Sequence, residues 1–530
     1  MTQVLLCGLL ALQSWHFDFY SAPVSRPLLA TLAIFGAAFA AYLASIPLAL
    51  RLGDRKQWIA LMFAVAILMR FIMLFSTPIQ EVDLYRYIWD GAVSSEGVSP
   101  YRFPPSQVRA AIDAPSEDDH AVVRQLAGIA QQSLGLHETL RRVHFGELPT
   151  VYPPVSQLMF WCAHQLTWKS ASVVARVRLM KLMIVLFDIG VMLLLFKLLQ
   201  QWKVNPAWSI AYGWCPLVLK EFANSGHLDS IAVCSFLAAI LVLGFATRSG
   251  VRARLPLASS GVLLGIAVGA KLFPIVLAPL IATHVWRRLG LQACFTWAAT
   301  ATIVTMLTLA PMFVQSERDA SQSDQLEGLT TFLQHWEIND LIFMTVEENL
   351  RAEGTVTGQP KLWFVVTPNS WRMSITSKVS TVLSINQERT PFLLTRLITT
   401  LGFGLIVAWL CLQTWRQSDR FPESLFLTLA WFWLLCPTQN PWYWTWALPL
   451  IPFASSRLWL LVSGLSLLYY LRFWFQYHTP NWGGYHGAQV FDFVIVWLEF
   501  APLLAMLAAS FCVSKTTLLN LRSFRTLDTL

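Results

Sequence analysis

Charge is what this chain has least of. Asp, Glu, Lys and Arg make up 13% of its 530 residues, against roughly 25% in a soluble globular protein. That deficit excludes an ordinary soluble enzyme and points to a chain that folds in lipid. The eight cysteines (Cys7, Cys162, Cys215, Cys234, Cys294, Cys411, Cys436 and Cys512) are scattered, mostly inside apolar runs. None has metal-ligand spacing, so they read as small core residues. No glycine-rich nucleotide-binding loop and no HExxH motif occurs. Internal repeats and low-complexity segments are absent too, which counts against a transporter built from inverted repeats. The first residues, MTQVLLCGLLALQ, lack a basic n-region and a small-residue cleavage site. A cleaved signal peptide is therefore not expected.

What the chain has instead is apolar sequence, 55% of it. Long runs cover residues 28–50, 58–75, 179–199, 228–245, 294–314, 392–415 and 491–513. Each is close to the ~20 residues that cross a bilayer as a helix. Shorter runs lie at 206–219, 260–270, 273–286, 425–436, 443–453 and 458–474. The expected fold is an all-α polytopic membrane protein, one integral-membrane domain over residues 1–530. The crossings should number about 11–13, with Pro and Gly breaking several runs.

The net charge of +8 could suggest nucleic acid. Its basic residues lie in short loops, however, and membrane orientation explains them better. Arg51, Arg55 and Lys56 mark the first such loop as cytoplasmic. Residues 197–203, 248–254, 287–288 and 416–420 return to that side, as does the tail with Lys515, Arg522 and Arg525, if residues 260–286 form a pair of short helices. The long polar stretches then fall on the other face: 79–151, 220–229, 315–391, 438–442 and 478–488. Two of these are large enough to be functional units, a first external loop at 77–151 and a second at 315–391. An apolar stripe through Val122, Val123, Leu126, Ile129 and Leu134 predicts a helix lying on the membrane surface. Residues 330–350 show a similar mixed pattern.

The most informative stretch is 79–105, IQEVDLYRYIWDGAVSSEGVSPYRFPP. A helix over 83–93 would put Asp83, Tyr87 and Asp90 on one face, ending at Gly97 and Pro100. Tyr85, Tyr87 and Trp89 could simply anchor at headgroup level. An acid beside hydrocarbon is costly unless it is paired or working, so Asp83 reads as a general base for an attacking hydroxyl. Glu81 or Asp90 could orient an acceptor or hold a divalent cation. Arg86 most simply pairs with Asp90 four residues on.

Other stretches supply candidate binding residues. In VYPPVSQ the prolines force an extended return to the bilayer, and Tyr152 could line a pocket. In KEFANSGHLDS, Asp229 could serve as a helix N-cap, or His227 and Asp229 could hold an anionic head group or sugar. Lys271, alone in LLGIAVGAKLFPIVLAPL, could snorkel or stabilise charge on a departing phosphate. HWEINDLIF gathers His335, Glu337, Asn339 and Asp340, fit for sugar binding or for plain surface polarity. In TQNPWYWTW, an interface belt by default, Gln439, Asn440 and Tyr443 are the members most able to touch a ligand.

Taken in order, EVDLYRYIWDG with SPY, then YPPVSQL, NSGHLDS, GxxxGxKLxP and QNxxYW before LPLIP resemble a known set. The chain is similar to the GT-C superfamily of membrane glycosyltransferases. It most resembles mannosyltransferases that use a polyprenyl- or dolichyl-phosphate-linked sugar, including the enzyme adding the first mannose in GPI-anchor assembly. HWEIND looks like a segment of bacterial relatives. The resemblance implies a site facing away from the cytoplasm, a polyprenyl-phosphate sugar donor, and a lipid or glycan acceptor. It makes Asp83 the catalytic aspartate, Glu81 its acidic neighbour and Lys271 the basic residue near the donor phosphate. Close relatives often carry DxD where this chain has Glu81-Val-Asp83. Participation of Mg or Mn, and the choice of base, stay open on that account. A bacterial plasma membrane is expected over the ER. The rival classes are a transporter or flippase of lipid-linked sugars and a glycan polymerase or ligase.

Overall fold

The computed structural model describes residues 1–249, 254–313, 327–353 and 361–513. The tail with Lys515, Arg522 and Arg525, most of the basic loop at 248–254, residues 315–326 and 354–360 of the stretch 315–391, and the side chain of His335 lie outside what it describes. Among the described residues the chain is almost wholly helical. Its strand pairing is limited to a short hairpin, Asn481–Trp482 with Tyr485–His486, and one parallel bridge between Ile338 and Thr438. Eight helices are long and apolar enough to cross a membrane. Seven follow the long apolar runs. The eighth, Arg457–His478, follows one of the shorter ones. The protein is therefore an all-α, multi-pass membrane protein.

The shorter runs are broken where the sequence breaks them. Helix Arg254–Ala270 stops at Lys271, and Pro274 sits in the turn of 3₁₀ helix that leads into Ala278–Leu289. Proline lacks an amide hydrogen to continue the ladder, so the chain re-forms around it. Residues 216–224 include a π-turn, Leu219–Asn224, a distortion frequent at functional positions.

Two buried polar groupings fix the spans against one another. Arg70 is bound to both carboxylate oxygens of Asp188, at 2.6 and 3.1 Å, and donates to the carbonyl of Gly213, while Tyr212 donates to Asp188 at 2.7 Å. Lys181 donates to the carbonyls of Met73 and Ser76, which end helix Lys56–Leu74. Every such partner matters, because an unpaired polar group in this environment costs several kcal/mol on the order of a lost ion pair. At one end of the bundle two basic loops meet: Arg287 donates to the carbonyl of Trp415 and Arg288 to the hydroxyl of Ser418.

Candidate active site

Polar segments remote in sequence converge on one cavity of about 990 Å³. Its first wall is helix Asp83–Ser95, a short amphipathic element rather than a span. Asp83 opens it, where a negative charge suits the helix dipole. Its far end closes as a Schellman turn: Gly97, at φ +71°, donates to Ser94, and Val98 donates to Val93. Only glycine takes that backbone conformation without strain. The helix packs on Pro154–Gln165, and there Tyr87 stacks on Phe160 at 4.6 Å between ring centres. Gly91 permits this approach, since a Cβ there would lie 2.3 Å from the carbonyl oxygen of Phe160.

Asp83, Glu81, Arg86, Tyr87, Tyr152, Lys271 and Tyr443 all line the cavity. Tyr152 donates to Asp83 at 3.2 Å and meets Tyr87 edge-on. Burial, reinforced by the charge of Glu81, raises the Asp83 carboxyl above its usual range. Arg86 does not pair with Asp90 in the way the i, i+4 spacing suggests. It donates to the backbone carbonyls of Phe145 at 2.7 Å and Leu148 at 3.1 Å, and so holds the loop that forms the cavity rim. Asp90 faces away from the cavity, accepts from Gln157 at 3.1 Å, and is raised by burial to about 6.

Behind Glu81 lies a buried cluster that sequence reading did not assemble. Lys220 reaches Glu221 at 3.3 Å and Glu81 at 3.8 Å. Tyr470 donates to Glu221 at 2.8 Å and also bonds Lys220. His227 lies 3.4 Å from Glu221 and 3.7 Å from Glu81, stacked 4.0 Å over Trp442. It is buried behind the lining rather than part of it. Burial pushes Glu81 up to about 7, against the pull of Lys220, and pushes His227 down to about 4. Asn224, in the same segment, accepts from the amide of Ile79 and donates to Thr77, pinning the extended loop that leads to Glu81. The polar island KEFANS was visible in the sequence. Its pairing with Tyr470, 250 residues away, was not.

A second part of the lining is built around Lys271. Its ammonium sits 2.6 Å from Asp229 and over the rings of Tyr443 (4.7 Å) and Trp446 (5.5 Å). Asp229 is the first residue of helix Asp229–Ser249, and its side chain turns to Lys271 and to the indole of Trp446 instead of capping. The second oxygen of Asp229 has no hydrogen-bond partner among the described residues.

The two outer motifs meet each other. Ile338 donates to Pro437 and Gln439 donates back to Ile338, which makes the parallel bridge. Asn339, at φ +53°, donates to Gln439 and Glu499, while Gln439 bonds the carbonyls of Leu434 and Cys436. Both amides are thus engaged in holding this turn and lie outside the cavity lining. Glu337 is likewise off the lining, raised well above its usual range by burial and by Asp340 and Glu347. From these motifs Trp336, Asn440 and Tyr443 reach the cavity instead. Among the described residues no group of three or more His, Cys, Asp or Glu is arranged to hold a metal ion. The site thus brings a carboxylate and an aromatic-backed ammonium into the lining of one chamber. No protein family, curated protein or solved structure matches the chain.

Proposed function

We propose that this chain is a GT-C-type glycosyltransferase that moves a sugar, mannose by resemblance, from a polyprenyl-phosphate donor to a hydroxyl of a lipid or glycan acceptor. The observation that carries the reading is that Asp83 and Lys271, from segments 188 residues apart, line one chamber. Asp83 takes the proton of the acceptor hydroxyl, whose oxygen forms a bond to the anomeric carbon. The bond from that carbon to the phosphate oxygen breaks, and its electron pair leaves with the lipid phosphate. One in-line displacement inverts the anomeric centre. Raising Asp83 above the ordinary aspartate range brings its basicity closer to the working pH, which favours proton transfer. Tyr152 orients the carboxylate. Lys271, held by Asp229 and two aromatic rings, donates a hydrogen bond toward the leaving group. Tyr87, Trp336 and Trp442 offer flat faces for a sugar ring.

The same reading puts the chamber on the face away from the cytoplasm, in a bacterial plasma membrane. It is supported by the charge of the loops: the stretches that line the chamber are poor in exposed Lys and Arg, and the basic loops at 287–288 and 416–420 gather together elsewhere. The fold that goes with this reading is a bundle of 11–13 crossings with the external loops carrying the site. A divalent cation has no ligand triad among the described residues.

One observation favours the transporter reading: Arg70 and Asp188 form an ion pair inside two spans, and ionisable residues within spans often mark pathways. That pair is saturated by Tyr212 and Gly213 and does not line the cavity, so we read it as a lock between helices. The deciding experiment supplies radiolabelled polyprenyl-phosphate mannose to membranes containing the wild type. Label appearing in a new product supports transfer. Label crossing the bilayer on an unchanged lipid would instead make the chain a flippase.

A further inference from the structure

Five Lys or Arg side chains line the cavity: Arg26, Arg86, Lys271, Arg396 and Arg472. Four bind protein oxygens through at least one donor, although the Nε of Arg26 has no partner among the described residues. Arg26 bonds the Gln80 side chain and Arg86 the carbonyls of the rim. Lys271 is matched by Asp229, and Arg472 is clamped by both oxygens of Asp492 at 2.7 and 3.0 Å. Arg396 is different. Its guanidinium lies 6.0 Å from the ring of Phe392, and no oxygen among the described residues accepts from it. It stands on the span Thr390–Arg416, six residues in from the end, roughly 9 Å along the helix. An arginine at that depth is expensive unless it faces a partner or a pathway, and this one faces the chamber.

The chamber continues down the helix from there. Thr400, one turn on from Arg396, lines it, as does Phe403, roughly 10 Å beyond Arg396. Apolar Ile275, Leu333, Phe432 and Leu435 line the same cavity, and Ile275 remains 53% exposed. An uncommitted guanidinium at the top of an apolar channel that runs along a membrane span fits an anion carrying a long hydrocarbon tail. Its planar fork suits phosphate oxygens in particular.

We propose that Arg396, with the hydroxyl of Thr400, binds the phosphate of a polyisoprenyl phosphate, and that the channel toward Phe403 takes the first isoprene units. This rests on the glycosyl-transfer reading and assigns the net positive charge for the leaving group to Arg396, with Lys271 acting as an oriented hydrogen-bond donor. The donor phosphate is a singly charged diester. When the bond to the sugar breaks, the freed monoester gains negative charge, and Arg396 holds the product more tightly than the donor.

The test is equilibrium binding of a labelled 55-carbon polyprenyl phosphate, and of the matching polyprenol, to the purified full chain. The wild type is expected to prefer the phosphate by tenfold or more. Arg396→Gln should lose that preference while binding polyprenol unchanged, and Arg396→Lys should keep part of it. If Arg396→Gln keeps the full preference, the phosphate is held elsewhere and this proposal falls, leaving the transferase reading intact. If the wild type shows no preference, both fall. Phosphatidic acid competing as strongly as polyprenyl phosphate would overturn the isoprenoid assignment. Should Arg396→Gln not yield folded protein, Phe403→Trp narrows the channel without touching charge. It should weaken phosphate and polyprenol alike by about tenfold, and unchanged binding overturns the proposal.

Discussion

Replacing Asp83 with Asn removes a base while keeping its volume and its contact with Tyr152, whose hydroxyl can still donate across the 3.2 Å gap to the amide oxygen. Burial and the neighbouring charge of Glu81 raise the Asp83 carboxyl, so the folded chain disfavours the ionised form relative to the unfolded one. The neutral amide removes that penalty, and the thermal midpoint should stay level or rise slightly. Activity should fall by about 10²–10⁴-fold, the usual contribution of a positioned base, or roughly 3–5 kcal/mol of barrier. The assay is the initial rate of label transfer from polyprenyl-phosphate mannose at saturating donor, set against unfolding of the same preparation. A folded variant within tenfold of wild type refutes Asp83 as the base. If the loss then appears in Glu81→Gln, the base is Glu81, the alternative that the departure from DxD leaves standing.

Three further outcomes follow from the packing. Burial raises Glu81 to about 7, so the folded chain keeps a proton that the unfolded chain releases between about pH 4.5 and 7. Stability gained at the acid end is lost as pH rises through that window, and the difference in thermal midpoint between wild type and Glu81→Gln should change across it; a constant difference would contradict the burial argument. Lys271→Ala leaves Asp229 buried without its ammonium and should cost about 3–5 kcal/mol. Adding Asp229→Asn should restore much of the stability but not the transfer rate, and full additivity of the two losses would deny the pair. Gly91→Ala forces a Cβ to within 2.3 Å of the Phe160 carbonyl oxygen. It should destabilise by about 1–3 kcal/mol and slow transfer by shifting the helix that carries Asp83, and wild-type values for both would rule out the tight approach.

The spans were legible because lipid imposes a one-dimensional rule: a stretch of about 20 apolar residues must close its own backbone hydrogen bonds. All seven long runs became membrane-length helices for that reason. The helix opening at Asp83 and ending before Gly97 was equally local, set by a first-turn acid and a glycine able to take positive φ. Side-chain partners were not local. Arg86 has Asp90 four residues away, yet three carbonyls of a loop some 60 residues on surround it more completely. Asn339 and Gln439 looked like ligand contacts because amides often are, but Asn339 donates to the remote Gln439 carbonyl and Glu499, and Gln439 donates to the end of its own preceding helix.

The sequence by itself therefore determined the class of solvent, the helical spans, the polar segments between them and the residue types able to do chemistry, all consequences of hydropathy and local backbone preference. Tertiary structure decided which of those residues meet. It turned Lys271 into the partner of Asp229, set Lys220, Glu221 and Tyr470 behind Glu81, and left Arg396 facing the chamber without an acceptor among the described residues. The physical reason is range: backbone preference acts over a turn or two, whereas the matching of buried charges acts through space, between segments that only the packed bundle brings together.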